Sequence, residues 1–359
     1  MNQSRVNRVV ELMKRDHLPC ILVSATESVY YLTGRWIAPG ERMLALVITD
    51  RGDVRLFANR LFMQQAAPDL PLTEYDDTED CVAILADALP ADIGALGIDK
   101  RWPSHFLIRL MEKRPDIRMK LGSAPVDDAR MLKDADELDA MRRSSRLNDA
   151  VLKELMSTVR AGETERQLAE RYVEIARSMG AAGYSFQPLV CFGANCAEPH
   201  HDSDDTPLKE GDSIIFDVGL DLNHAMSDMT RTMFFGEATD EMKRVYELVR
   251  RANLAGKAAV KPGARLCDVD NAARRVIEEA GYGEYFIHRT GHGIGLEVHE
   301  PPDVSAACER PLEPGMIFSI EPGIYLSGKF GVRIEDLVTV TQDGCEVLNR
   351  LEIPAFDEQ

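Results

Sequence analysis

The sequence predicts a smaller α/β domain over residues 1–125, followed over residues 126–359 by an α+β domain with an internal pseudo-twofold duplication. Three observations predict this. Short apolar runs and amphipathic stretches alternate through the first part. Val159-Arg-Ala-Gly through Gly180 then aligns without gaps to Val260-Lys-Pro-Gly through Gly281. Each copy is followed by a hairpin-like stretch that holds two acids among apolar residues. With 359 residues in all, either part is long enough to bury its own core.

In the first part, Val6–Lys14 reads as a charged amphipathic helix and Cys20–Ser24 as a strand. Met43–Ile48 and Val54–Ala58 form a hairpin about the turn residues Asp50-Arg-Gly-Asp53. A helix over Glu79–Ala88, a strand over Ala95–Ile98, a helix over Phe106–Lys113 and a strand over Met119–Leu121 complete the domain. No nucleotide signature appears, since Gly94-Ala-Leu-Gly97 has two glycines and no Gly-rich phosphate loop follows a strand. Thr33-Gly-Arg-Trp36, with one of the two tryptophans, reads as a loop around a packed aromatic. The boundary falls near Ser123-Ala-Pro-Val-Asp127. Beyond it Asp134–Val151 reads as a helix, acids early and Arg142, Arg143 and Arg146 later, as the helix dipole favours.

In the repeat, Gly162 falls on Gly263, Leu168 on Val269, Ile175 on Val276 and Gly180 on Gly281. Apolar residues recur at helical spacing in both copies: Leu168, Tyr172, Ile175 and Met179, then Val269, Ala273, Val276 and Ala280. Thr164 and Gln167 form a capping box, and Asp268 is placed to cap the second helix.

After the first copy, Ser213–Gly219 and Ser227–Thr232 read as paired strands. Asp217 and Asp228 are equidistant from Leu222–Asn223, so a turn there sets the two carboxylates across the hairpin. After the second copy, Phe318–Tyr325 and Gly331–Val340 pair likewise, with Glu321 and Glu335 equidistant from Gly328. A single acid in a strand ordinarily faces solvent. Four at matched spacing in apolar runs face inward, where unpaired anions are costly, so a cation must lie among them. Oxygen donors suit Mg, Ca or Mn, and an added imidazole shifts the preference toward Mn, Co, Fe or Zn.

The formal charge of −18 argues against nucleic acid or an anionic membrane as partner. The seven cysteines are scattered and odd in number, without a CxxC pair, as expected of reduced thiols in a cytoplasmic protein. Met1-Asn-Gln-Ser-Arg leads into the first helix with no apolar signal core, and no run approaches the roughly eighteen apolar residues of a membrane span. Cytoplasm is the expected compartment.

His292 and His299 lie in Thr290-Gly-His-Gly-Ile-Gly-Leu-Glu-Val-His-Glu300, whose glycines let the backbone approach something closely. His200 and His201 follow Pro199, while His17, His105 and His224 read as structural or surface residues.

The set Asp217, Asp228, His292, Glu321 and Glu335 resembles the metal-ligand set of the pita-bread metallopeptidases. Gly-His-Gly-Ile-Gly-Leu-Glu-Val-His-Glu and Glu-Pro-Gly-Ile-Tyr resemble their Xaa-Pro dipeptidase (prolidase) and aminopeptidase P branch. The likeness covers roughly residues 130–350, and the first 125 residues resemble, more weakly, the creatinase/prolidase-type N-terminal domain of that branch. It implies an exopeptidase that hydrolyses the Xaa-Pro bond at the N-terminus of small peptides with proline second. It also implies two divalent metal ions per subunit, Mn²⁺ or Co²⁺ foremost and Zn²⁺ or Fe²⁺ as alternatives. The implied assembly is a homodimer in which the N-terminal domain, through Arg35-Trp36, overhangs the partner's site. By the same resemblance Asp217 would bind one metal, His292 and Glu321 the other, and Asp228 and Glu335 both. Such a pair activates water and polarises the scissile carbonyl. Glu321 would accept the water's proton, His299 would stabilise the oxyanion, and His200 would hydrogen-bond near the scissile amide or the leaving proline. His288 matches a residue of the proline pocket, and Tyr325 and Arg333 a buried pair supporting the metal-binding glutamates. The alternative for Arg333 is an ordinary salt bridge with Asp336 or a neighbour.

Proline offers no N–H and a fixed φ, so a site for it needs an apolar ring pocket, for which Phe186 and Phe192 are candidates. Two features depart from the family pattern. Prolidases of this size commonly carry an arginine just after His-Glu-x-Pro, where it grips a dipeptide's carboxylate, whereas His299-Glu-Pro-Pro is followed by Asp303. An anion there tilts the expectation toward longer Xaa-Pro-Xaa peptides unless Arg289 or Arg310 substitutes. Ala225-Met226 stands where an aromatic residue is frequent. The competing readings are hydrolysis of a non-peptide amide by the same centre, and a catalytically silent binding protein. The second calls for eroded ligands, and none is lost.

Overall fold

The computed structural model describes residues 1–65 and 70–355. The chain divides into two compact units, residues 1–130 and 131–359. In the first, α1 (Gln3–Arg15) precedes β1 (Cys20–Val23), α2 (Thr26–Thr33), β2 (Ala45–Thr49) and β3 (Val54–Asn59). Then come β4 (Leu72–Tyr75), α3 (Cys81–Ala88), β5 (Ala95–Ile98), α4 (Ser104–Lys113), β6 (Arg118–Leu121) and α5 (Ala124–Met131). Asn2 caps α1, which buries Val6, Val9, Val10 and Met13 along one stripe. The six strands form a mixed sheet ordered β4-β3-β2-β1-β5-β6, with β2 and β3 turning at Gly52 (φ 89°). Trp36 is half-buried and packs edge-on to Tyr30, with ring centroids 5.5 Å apart.

The second unit contains the duplication. Its first half runs α6 (Ala135–Ser157), α7 (Glu165–Ser178), β7 (Gly183–Tyr184), β8 (Leu189–Phe192), β9 (Ser213–Val218), β10 (Leu220–Leu222), β11 (Ala225–Met226) and β12 (Met229–Phe234). The second half begins with α8 (Asp240–Ala259), α9 (Leu266–Glu279), β13 (Gly291–Gly293), β14 (Glu300–Val304) and β15 (Ile317–Ile320). It ends with β16 (Gly323–Leu326), β17 (Phe330–Arg333), β18 (Asp336–Val340) and β19 (Cys345–Val347). α7 and α9 begin and end at residues that the repeat aligns, each preceded and followed by a positive-φ glycine: Gly162 and Gly180, Gly263 and Gly281. Thr164 and Gln167 form the expected capping box, and Asp268 Oδ2 accepts from Arg265 N at 3.1 Å.

The buried stripe is Leu168, Tyr172 and Ala176 in α7 and Val269, Ala273 and Ile277 in α9. Ile175 and Val276 lie only half inside, at the border of a stripe that continues through Ala176 and Ile277, and Met179 and Ala280 lie at the caps, where the helices end. Burying each large apolar side chain of these stripes stabilises by about 1.5–3 kcal/mol. The helices also carry polar clamps. Asn148 of α6, which accepts from Tyr172 Oη at 2.7 Å, donates to the Val218 carbonyl at 2.9 Å. Asn253 of α8 donates to the Ile320 carbonyl at 2.9 Å. Both amides thus fix the strand residue next to a sequence-predicted ligand, Asp217 or Glu321. Among the described residues no helix is long and apolar enough to cross a membrane.

Candidate metal centre

Asp217 is the last residue but one of β9, and Asp228 immediately precedes β12. The ladder pairs Met229 with Val218 and Thr230 with Asp217, and Leu222 with Ala225 further out. The turn therefore falls on Asn223–His224, both at positive φ (55° and 67°), one residue beyond the expected centre. The two aspartates are diagonal neighbours rather than directly opposed, yet they share a face of the hairpin. Gly219 is the residue across from Asp228, and a Cβ there would lie 2.1 Å from Ser185 Oγ and Ser227 O, so only glycine fits. The second hairpin keeps its expected centre. Gly323 pairs with Arg333 and Ile320 with Asp336, which sets Glu321 against Glu335 about Gly328 (φ 72°). Glu335 N donates to Thr230 O at 3.1 Å, tying this hairpin to the first beside Asp228.

The four acids converge with His292, and their surroundings supply too few donors. Asp228 Oδ2 lies 3.7 Å and Glu321 Oε1 3.3 Å from His292 Nε2. His292 Nδ1 lies 3.1 Å from the Gly293 carbonyl, an acceptor, so the ring hydrogen belongs on Nδ1 and the Nε2 lone pair faces the carboxylates. Burial, with His299 nearby, pushes His292 down to about 3, so the ring is neutral. Burial also pushes Glu321 up to about 7. Asp228 and Glu335 stand well above the carboxylate range, through burial first and then, respectively, the charges of Glu335 and Glu321. Thr230 Oγ1 donates to Glu335 Oε2 (2.8 Å) and Ser319 Oγ to Glu321 Oε1 (3.0 Å). Arg333 Nη2 donates to Asp217 Oδ2 at 2.6 Å. Asp217 Oδ1, Asp228 Oδ1 and Glu335 Oε1 are buried without any hydrogen-bond partner. Asp228, His292 and Glu335 each offer a ligand atom within 4.8 Å of the others. Orphaned carboxylate oxygens around an imidazole lone pair fit a divalent cation, which neutralises the anions and fills the empty acceptor positions.

The centre opens on a cavity of about 380 Å³ whose wall includes His200, His288, Arg289 and His299. The His299 and His292 ring centroids are 4.1 Å apart, and burial holds His299 below the usual imidazole range. His288 Nδ1 faces the Arg289 carbonyl at 2.7 Å, leaving Nε2 to accept from Tyr325 Oη at 2.8 Å. Burial and Arg333 push His288 down to about 4. Tyr325 Oη in turn accepts from Arg333 Nη1 at 3.0 Å. Arg333 therefore bridges Asp217 and Tyr325, while Asp336 pairs instead with Arg231 and Lys257. Phe186, Leu189 and Val298 form apolar wall, whereas Phe192 lies in the core against α7. Arg289 forms an ion pair with Asp303. Thr230 and Ser319 were absent from the sequence expectations, although each stands two residues from a predicted ligand on the same strand face.

Known proteins give the same picture. Residues 139–342 match Metallopeptidase family M24, and residues 5–132 match the Creatinase/Prolidase N-terminal domain. An uncharacterized peptidase of Staphylococcus aureus (strain MSSA476) is 34% identical over 357 residues, 97% of this chain and 99% of that protein. The crystal structure of a prolidase from Thermococcus sibiricus superposes with a TM-score of 0.92 at 33% identity, over 98% of each chain. A dipeptidase structure from Pyrococcus horikoshii OT3 gives 0.91 at 35%, over 97% of this chain and 98% of that one. The two halves, their inward acids and these matches agree, and the chain belongs to metallopeptidase family M24, with a creatinase/prolidase-type N-terminal domain ahead of a pita-bread domain.

Proposed function

We propose that this chain is an Xaa-Pro exopeptidase working with two divalent metal ions, Mn²⁺ or Co²⁺ foremost, held by Asp217, Asp228, His292, Glu321 and Glu335. The observation that carries the reading is the convergence of these side chains with three buried carboxylate oxygens left unpartnered. When bound, the metals supply Lewis-acid polarisation of the scissile carbonyl and an acidified water. The chain's own residues orient the peptide and handle charge. His299 donates to the carbonyl oxygen as it gains negative charge, and its place in the wall beside His292 suits that role. His200 hydrogen-bonds at the scissile amide, and Glu321 receives the proton released by water. His288, held by Tyr325, joins Phe186 in packing the proline ring. Arg333 holds Asp217 and Tyr325 in register.

Arg289 refines the substrate. Arg289 lines the cavity and its guanidinium pairs with Asp303, so the anion that argued for longer peptides is offset. A guanidinium there is placed to take the free carboxylate of an Xaa-Pro dipeptide. Metal-stripped protein is expected to gain Ala-Pro hydrolysis on addition of Mn²⁺ or Co²⁺, faster than Ala-Pro-Ala. Silence on both peptides with metal bound would redirect the search to non-peptide amides. Arg289→Ala should raise KM for Ala-Pro by roughly 10–100-fold, the worth of one charge-assisted hydrogen bond. The double variant with Asp303→Ala shows whether an unpaired Asp303 contributes. Unchanged KM for the dipeptide in both variants would remove Arg289 from substrate binding.

A further inference from the structure

Glu165 opens α7, is fully buried, and takes no part in the centre described above. A buried carboxylate is tolerated only when donors surround it, and this one has four. Oε1 accepts from Phe192 N at 2.7 Å and Asn195 Nδ2 at 3.0 Å. Oε2 accepts from Asp204 N at 3.1 Å and lies 3.0 Å from His201 Nε2, which donates to it when the ring hydrogen is on that nitrogen. All four donors belong to one stretch, residues 192–204. That stretch delivers His200, the immediate neighbour of His201, into the cavity wall.

The repeat shows that the start of the helix does not itself require an acid. The aligned residue of α9 is Leu266, also fully buried. The second copy places its buried acid at Asp270, where Oδ1 accepts from Thr290 N (3.1 Å) and Thr290 Oγ1 (2.7 Å), between His288 and His292. Each half therefore spends one fully buried carboxylate on the segment that carries its histidines, at positions the duplication does not align. A metal at Glu165, His201 and Asp204, whose ligand atoms lie within 4.8 Å of one another, is the competing reading. It would have to break the contact between Glu165 Oε2 and His201 Nε2 and turn the lone pair of that nitrogen to the metal.

We infer that Glu165, through its hydrogen bond with His201, is a positioning residue that fixes His200 against the substrate. This rests on the proposed peptidase reading. The test uses the full-length Mn²⁺-loaded protein with Ala-Pro, comparing Glu165→Gln, His201→Leu and His201→Gln. Glutamine at 201 can still donate to Glu165, and leucine cannot. His201→Leu and Glu165→Gln are expected to lower kcat by roughly 10–100-fold, as misplacement on the order of 1 Å does. KM should stay within about threefold and bound Mn²⁺ should be unchanged, while His201→Gln recovers most of kcat. Amide hydrogen exchange over residues 192–204 should quicken in His201→Leu and not in His201→Gln. Should Glu165→Gln fail to fold, the two His201 variants still decide. Full kcat in His201→Leu, equal loss in both His201 variants, or loss of bound metal with activity would overturn the inference. If the wild-type protein were silent on Ala-Pro, the peptidase reading would fall by itself. The exchange comparison would then decide the anchoring: quickening in the leucine variant alone upholds it, and equal rates overturn it.

Discussion

Asp228→Asn and Glu335→Gln are each expected to lower Xaa-Pro hydrolysis by more than about a thousandfold, on the order of 4 kcal/mol of barrier, and to lower bound metal with it. Both residues are buried, and each presents one oxygen that none of the described residues satisfies. Their remaining oxygens differ. Glu335 Oε2 accepts from Thr230, which an amide oxygen can also do, so the glutamine variant keeps its place in the hairpin. Asp228 Oδ2 lies 3.7 Å from the His292 Nε2 lone pair, a contact that favours a cation between them. The substitutions keep shape and remove charge, so kinetics and elemental analysis on the same sample separate a lost site from a lost fold. Full activity with full metal occupancy in either variant would refute the assignment.

The acids were legible because each of Asp217, Glu321 and Glu335 interrupts an apolar strand, and the burial of those strands leaves a charge no other place to go. Gly328 marked the second turn correctly, being a glycine at positive φ between two β-rich runs. The first turn was misplaced by one residue because it was centred midway between Asp217 and Asp228, whereas Asn223 and His224, both able to take positive φ, form it one residue later. The slip preserved the site all the same: Asp217 and Asp228 are an odd number of residues apart, and the true pairing leaves them diagonal on one face. What the sequence concealed are contacts made by remote approach. Thr230 meets Glu335, and Arg333 meets Asp217, across more than a hundred residues. Arg333 chose Asp217 over nearby Asp336 because Asp336 is already held by Arg231 and Lys257. The Glu165 network is of the same kind, since its acid sits in a helix start that reads as ordinary capping.

Without metal, the protein should lose stability as pH rises from 6.5 to 8, and Mn²⁺ should abolish that loss. In the metal-free folded chain, burial pushes Glu321 from its ordinary 4.5 up to about 7 and holds Asp228 and Glu335 well above the usual range. These groups keep protons that the unfolded chain has already released. Stability contributed by a raised pKa is present at low pH and is lost as pH climbs through the folded value. Each carboxyl still protonated costs about 1.4 kcal/mol per pH unit over that climb. The histidines act in the opposite sense but in a lower window. His292 and His288, pushed down to about 3 and about 4 from 6.5, add stability only until the unfolded histidines have lost their protons. Buried thiols such as Cys20, raised from 9.0 to about 12, begin to act only above the window. Between pH 6.5 and 8 the carboxyls therefore outweigh the other groups, and a Tm lower by several degrees at the upper end is expected. Divalent metal takes the place of those protons, so the loaded protein should show a flat Tm and release protons as metal is titrated in. Asp228→Asn removes one anion from the cluster, and its metal-free slope should be shallower than that of the wild type. A metal-free Tm that stays level or rises from pH 6.5 to 8 would mean that the four carboxylates are compensated by something other than a cation.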